Sequence, residues 1–276
     1  MTQYTSLDSE LVASVYASEE NILIREGKGK GITYIFFSGN GLFFPNTDEC
    51  FEKTVMKQNR FEWTNVARSA EKRAERIIFV RDVYKKWYIR GVSERYPDVE
   101  SLCKRLKERS VGDIYTVGNS AGAYMAILAG YLTGAKYVFA FNPQTDLTLV
   151  DPLDHPSIVA YATSGAPYCK LQELDVSSRV FVFYAARNGA DVMHCDLIKG
   201  NENYKLYPFD ETIHGKTMLA VNYPFVLNHP EAIEKISVSA PVSAREFLMR
   251  SCGKGKGTAL YLKSIVTRAI GKLKNR

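Results

Sequence analysis

The chain is poor in the features that mark secreted, metal-bound and membrane-spanning proteins. Its 276 residues include five cysteines (Cys50, Cys103, Cys169, Cys195 and Cys252), an odd number and never arranged as C-x-x-C. That pattern supplies neither a disulfide framework nor a zinc site, so reduced, mostly buried thiols and no bound metal are expected. No stretch reaches the ~18 uncharged apolar residues of a spanning helix. The opening MTQYTSLDSELVASVYASEE has no basic segment followed by an apolar one. The expectation is a soluble, cytoplasmic protein. Internal repeats and low-complexity segments are missing too, and no nucleic-acid-binding motif accompanies the positive charge, so no nucleic-acid partner is expected.

Acidic residues are absent from the end of the chain. Eight of the 36 Lys/Arg lie between Arg250 and Arg276 with no Asp/Glu among them, which leaves 28 basic against 30 acidic residues before that point. The net charge of +6 is therefore a property of the tail. Within it Ala259, Leu262, Ile265, Val266, Ala269, Ile270 and Leu273 recur at helical spacing, flanked by Lys263, Arg268, Lys272 and Lys274. A basic amphipathic helix over 250–276 follows. Its stripe is modest and lacks Trp and Phe, which favours packing on the domain 1–249. The other role open to it is peripheral contact with an anionic membrane at the inner face, or with an acidic partner. Oligomeric state has no signature in the sequence.

What the chain does have is a recurring alternation of β-like and helix-like runs. The β-like runs are 21–27, 32–38, 77–83, 113–118, 136–143, 179–186 and 203–209, and helix-like stretches such as ARSAEKRAER, PDVESLCKRLKERS and AYMAILAGYL lie between them. Runs such as YVFAF and VFVFY are apolar on both sides, as strands covered on both faces require. This is an α/β chain with a mostly parallel central sheet and helices on both faces. The first two runs flank the turn GKGKG and are expected to form a hairpin. Residues 145–178, with three prolines and no clean period, are expected to make a lid-like excursion over the sheet.

One turn in this pattern carries chemistry. Gly118-Asn119-Ser120-Ala121-Gly122 joins the strand-like DIYTV to a small-residue helix. A serine lifted clear of a sheet on a sharp strand-to-helix turn leaves no room for bulky residues two positions away on either side. The G-x-S-x-G in this setting resembles the nucleophile elbow of the α/β-hydrolase superfamily. That resemblance, carried by short segments between about residues 32 and 215, implies a serine nucleophile, then an acid, then a histidine base in chain order.

Four histidines are available to fill the last place. His214 follows the last strand-like run by a few residues, where the superfamily places its base, and His194 is the next choice; His155 and His229 lie in proline-flanked segments. For the acid, Asp191 stands just after RVFVFYAA and is favoured over Asp196 and Asp210. The resemblance also implies an oxyanion hole: one donor is the Ala121 amide, the other Gly39 or Asn40 in SGNG, where many relatives carry His-Gly or HGGG. Asn119, Asp82, Trp87 and Tyr88 would line the substrate site at the carboxyl edge of the sheet, with Arg81 beside them, unless Asp82 caps a helix and the aromatics pack.

Together these residues describe acyl-ester chemistry at Ser120. An esterase or deacylase acting on an acylated small molecule or glycan needs no cofactor. The first alternative is an O-acyltransferase that moves an acyl group to a sugar hydroxyl and takes acyl-CoA as co-substrate. The second is a binding module that keeps the fold without the chemistry.

Overall fold

The computed structural model describes residues 9–18 and 20–274, with side chains described as far as Val266. Seven strands, β1 (Ile22–Glu26), β2 (Ile32–Phe37), β3 (Arg76–Val80), β4 (Asp113–Asn119), β5 (Tyr137–Phe141), β6 (Arg179–Ala185) and β7 (Tyr204–Phe209), form one sheet in the order β1-β3-β2-β4-β5-β6-β7. Every pairing is parallel except β1 with β3. After β2 the chain moves outward to β3, then returns to the other side of β2 to lay down β4 and everything beyond it. The strand order therefore reverses between β2 and β4, and the carboxyl ends of these two strands flank the crevice where open α/β sheets take ligands.

Side-chain alternation gives the two faces different characters. Ile35, Phe37, Ile78, Val138, Val180 and Val182 face an aliphatic layer covered by the helices Val99–Arg109 and Ala121–Thr133. The second helix is buried almost all round, which its small, uncharged composition permits. Tyr34, Phe36, Phe139, Phe141, Phe181 and Phe183 face an aromatic layer closed by Val226, Leu227, Ile233 and Phe247 from the C-terminal helices.

The expected hairpin does not form. β1 pairs with β3, in the register Ile22 to Val80, and β2 lies between β3 and β4. The glycine-lysine segment instead runs along residues 71–75: the amides of Gly27, Lys28 and Gly29 donate to the carbonyls of Glu75, Glu71 and Ala74 at 2.8, 2.7 and 2.7 Å. The physical reason is burial, since ITYIFF is apolar on both sides and belongs in the sheet interior, while the half-exposed ILIRE suits an edge. ARSAEKRAER is likewise mostly turns beyond the short helix Thr64–Ala67; Ala70 and Ala74 are buried there and Arg73 reaches across to the Asn228 carbonyl and the Tyr115 hydroxyl.

The C-terminal helix begins at Lys254, after a break at Gly253, and runs to Lys274. Its apolar stripe, as far as the side chains are described, faces outward. Gly257 is buried and Leu260, Tyr261 and Ser264 are half-buried, whereas Ala259, Leu262, Ile265 and Val266 face outward, the last three 56%, 46% and 57% exposed. Ala269, Ile270 and Leu273 lie outside the described side chains.

The preceding helix, Ala244–Cys252, is anchored by Phe247, whose ring lies 5.9, 5.4 and 5.3 Å from those of Phe183, Tyr207 and Phe209. Phe247→Ala should cost about 3–5 kcal/mol in urea unfolding, the range for a truncated buried aromatic. A loss under about 1 kcal/mol would mean that this helix is not docked through the aromatic layer.

Candidate active site

Ser120 lies at the end of β4 with φ +55° and ψ −123°, a backbone conformation that non-glycine residues rarely adopt, and immediately precedes the helix Ala121–Thr133. Its amide donates to the Phe141 carbonyl at 2.9 Å, which ties the turn to β5. A Cβ on Gly118 would collide with the Gly122 carbonyl, and one on Gly122 with the Phe37 and Ser38 carbonyls. The two glycines are thus required by the closeness of β4, the helix and β2.

His214 lies in the loop after β7, and its Nε2 is 2.8 Å from Ser120 Oγ. Its Nδ1 is 2.5 Å from Oδ1 of Asp191, a residue only 2% exposed. The other oxygen of Asp191 accepts from Asn142 Nδ2 at 2.5 Å and from the Ala185 amide at 3.2 Å. The Asn142 side-chain oxygen in turn accepts from the Thr217 hydroxyl at 3.3 Å. Asp191 is in the first turn of the helix Gly189–Asp196, whose N-cap is Asn188, so its carboxylate is free of capping and turns toward the histidine. With the proton of the imidazole on Nδ1, facing the carboxylate, the lone pair of Nε2 faces the serine hydroxyl.

The fold is that of the α/β hydrolases. A parallel sheet, the serine turn after β4, the acid after β6 and the histidine after β7 reproduce its order. No family model matches the chain, and no curated protein matches it in sequence. Among solved structures it is similar to the capsule O-acetyltransferase of Neisseria meningitidis serogroup A, with a TM-score of 0.54 and 12% identity over 79% of this chain and 93% of that one. A mutant of that enzyme in complex with CoA gives 0.51 and 14% identity over 78% and 92%. Alpha/beta hydrolase domain-containing protein 10 from mouse gives 0.48 and 13% identity over 78% and 95%.

The competing histidines and acids lie elsewhere. His194 is 3% exposed, its Nδ1 accepts from the Asp146 amide at 3.4 Å, and burial lowers its pKa. His155 packs edge-on against Trp87 and His229 lies against Phe225. Asp210 pairs with Arg187, and Asp196 is exposed at the end of its helix.

Of the expected oxyanion donors, the structure withdraws Gly39. Its amide donates to Glu62 Oε2 at 2.6 Å. The amides of Ala121 and Asn40 have no acceptor among the described residues. Glu62 carried no signal in the sequence, because it reaches this loop from 23 residues away.

Asp82, Trp87 and Tyr88 do not line a substrate surface; they are 5%, 1% and 1% exposed. The Asp82 carboxylate accepts the amides of Tyr84, Lys86 and Tyr88 at 3.0, 2.7 and 2.9 Å and organises a loop in which Lys85, Trp87 and Tyr88 all have positive φ. The Tyr88 hydroxyl donates to the Ser38 carbonyl at 2.7 Å. The Trp87 indole N–H donates at 2.9 Å to Gln144 Oε1, which is also 3.4 Å from Ser120 Oγ. These residues therefore act behind the site, and Gln144 is the group that touches it. Arg81 is buried as well, bonded to Asn21, Asn59 and the Arg60 carbonyl.

Residues 145–178 contain the helix Pro156–Thr163 between two short 3-10 turns. Leu147, Ile158, Ala162 and Leu171 are buried in the aliphatic layer and anchor the excursion to the core, while 151–154 and 163–165 are exposed. Among the described residues no group of three or more His, Cys, Asp or Glu is placed to hold a metal ion.

Burial raises the Glu62 carboxyl pKa above its ordinary 4.5, opposed by the Gly39 amide. The folded protein then keeps a proton that the unfolded chain has released, so stability falls as pH rises from the ordinary value through the raised one, and stays lower above it. Glu62→Gln removes that step while leaving an acceptor for Gly39. The unfolding free energy of the variant minus that of the wild type should rise between about pH 4 and about pH 8. A flat or falling difference would refute the raised value.

Proposed function

We propose that the chain is a serine-dependent acyl-ester enzyme, an esterase or deacylase acting on an acylated small molecule or glycan through an acyl-enzyme. One observation carries this reading: Ser120 Oγ, His214 and Asp191 form a continuous hydrogen-bonded row, with the serine on a strained turn at a helix N-terminus. Ser120 Oγ attacks the acyl carbon while His214 Nε2 takes its proton, and Asp191 holds the resulting imidazolium in place. The developing oxyanion receives the Ala121 and Asn40 amides together with the positive end of the helix dipole. Collapse expels the alcohol, which takes the proton from His214. Water then gives a proton to His214 and attacks the acyl-serine, releasing the acid and restoring the serine.

A second reading replaces that water with a sugar hydroxyl and makes the chain an O-acyltransferase charged by an acyl-CoA. It is supported by an open cavity beside Asn119 that contains polar side chains. The likeness of fold to the capsule O-acetyltransferase, one structure of which contains CoA, points the same way. Both readings share the serine attack and the acyl-enzyme and differ in the leaving group, an alcohol in the first and the CoA thiol, protonated by His214, in the second.

The outward row Ala259, Leu262, Ile265 and Val266, with Lys254, Lys256 and Lys263 on the same helix and no acidic residue after Glu246, supports peripheral contact of this helix with an anionic membrane face. No helix among the described residues is long and apolar enough to cross a membrane.

Intact-mass measurement after fluorophosphonate labelling tests the chemistry. One adduct is expected on the wild type and none on Ser120→Ala, and labelling of His214→Ala and Asp191→Asn should slow by on the order of 10³-fold or more. Folded wild-type protein that neither labels nor turns over p-nitrophenyl acetate would sink the proposal. For the helix, flotation with phosphatidylserine-containing vesicles should recover the wild type but not Ile265→Asp, and pure phosphatidylcholine vesicles should recover neither. Equal recovery of both proteins would exclude this face.

A further inference from the structure

A cavity of about 400 Å³ opens beside the nucleophile, within the ~300–1,000 Å³ typical of small-ligand sites. Two of its wall residues, Asn119 and Glu62, connect it to the serine turn, to the loop carrying Gly39 and to the residue after His214. Asn119 in its wall immediately precedes Ser120. Glu62 in its wall holds the Gly39 amide of the oxyanion loop. Asn119 Nδ2 also lies against Gly215, the residue after His214, where a Cβ would meet it at 3.4 Å.

We infer that this cavity is a subsite for a pyranose ring, the sugar that carries the ester or the hydroxyl to be acylated. The inference rests on Ser120 being the nucleophile, since only then does the cavity adjoin the acyl carbon. A pyranose has apolar C–H faces edged by hydroxyls, so its site needs an aromatic wall interrupted by donors and acceptors. Trp63 and Tyr223 supply the wall, with ring centroids 5.5 Å apart and planes at 81°. The indole N–H of Trp63 is already bound to the Phe37 carbonyl at 3.0 Å, which fixes the ring and leaves only its apolar surface for a ligand. Around it stand Glu62, Asn65, Asn119 and Arg60. Asn119 Oδ1 is buried and has no donor among the described residues, and the Tyr223 hydroxyl has no hydrogen-bond partner among them.

Charge and rigidity agree with this assignment. A carboxylate and a guanidinium line the same cavity, which suits an uncharged polyol with many hydroxyls better than a phosphate group that would meet Glu62. The wall is preformed: buried Arg81 bonds Asn59 Oδ1 at 2.9 Å and the Arg60 carbonyl at 3.1 Å, and lies 4.4 Å over the Phe61 ring. It thereby fixes the segment that presents Glu62 and Trp63.

The test is a titration of the full-length Ser120→Ala protein with a panel of uncharged methyl pyranosides, including N-acetylhexosaminides, read by tryptophan emission. The chain has two tryptophans, and Trp87 is 1% exposed, so a change reports Trp63. A saturable change is expected with at least one pyranoside, and its dissociation constant should rise at least tenfold in Asn65→Phe, which fills the rim from an exposed position. Saturation transfer by NMR gives the same comparison without relying on emission. If no pyranoside saturates up to about 100 mM while fluorophosphonate still labels wild-type Ser120, the sugar subsite is wrong and the serine chemistry survives. Saturation by coenzyme A or adenosine 3′,5′-bisphosphate alone would overturn it in favour of a donor site. Pyranoside binding lost in Asn65→Phe, without serine labelling, would leave a sugar-binding cavity and overturn its assignment as a subsite of acyl chemistry.

Discussion

The site depends on one buried carboxylate being fully partnered. A carboxylate as enclosed as that of Asp191 is costly unless hydrogen-bond donors replace the water it has lost. Its three donors come from separate parts of the chain: Asn142 just beyond β5, the Ala185 amide at the end of β6, and His214 beyond β7. Satisfying this one group therefore sets the relation of three consecutive strand ends. Two of the donors leave the carboxylate no freedom to turn, so the third, the imidazole, is held with its other nitrogen toward Ser120.

The serine side is fixed by sterics instead. The turn at Ser120 brings β4 and its helix so close that glycine is needed on both sides. Behind this, the Asp82 loop supports the crevice through Tyr88 on the Ser38 carbonyl and Trp87 on Gln144. Trp87 and Tyr88 are thus part of the foundation of the crevice, and the aromatic wall of the cavity is supplied by the half-buried Trp63 and Tyr223 from segments far apart in the chain.

How much of this could be read from residues alone follows from the range of each constraint. The turn at Ser120 is a local requirement, written in five consecutive residues. Asp191 and His214 follow from chain order, because each stands just past a strand whose apolar pattern is plain. Asn142 and Gln144 sit beyond β5 in the same way, but an amide that orients a carboxylate or touches a serine has no pattern of its own. Glu62 was illegible for a related reason: its partner is a backbone amide, which leaves no trace in the sequence of the partner. The pairing of β1 with β3 was hidden because a glycine-rich connection is compatible with a hairpin, and only competition for the interior, won by ITYIFF, decides against it. At the C-terminus the period of the helix was visible but not its rotation. Gly257, Leu260 and Tyr261 turn inward, and that choice depends on the neighbouring helix Ala244–Cys252, which the stripe does not encode.

The two halves of the crevice are held by different means. The row Asp191, His214 and Ser120 is fastened to strand ends, so its geometry is tied to the stability of the sheet. The wall carrying Glu62 and Trp63 is fastened chiefly through Arg81 and the Phe37 carbonyl, outside the sheet's own hydrogen bonding. Changes in the segment from Asn59 to Val66 can therefore reshape the cavity without disturbing the carboxylate on which the row depends. Glu62 is the exception, because it reaches from that wall to the Gly39 amide. Through it, the cavity wall and the loop that presents Asn40 are joined by a single carboxylate.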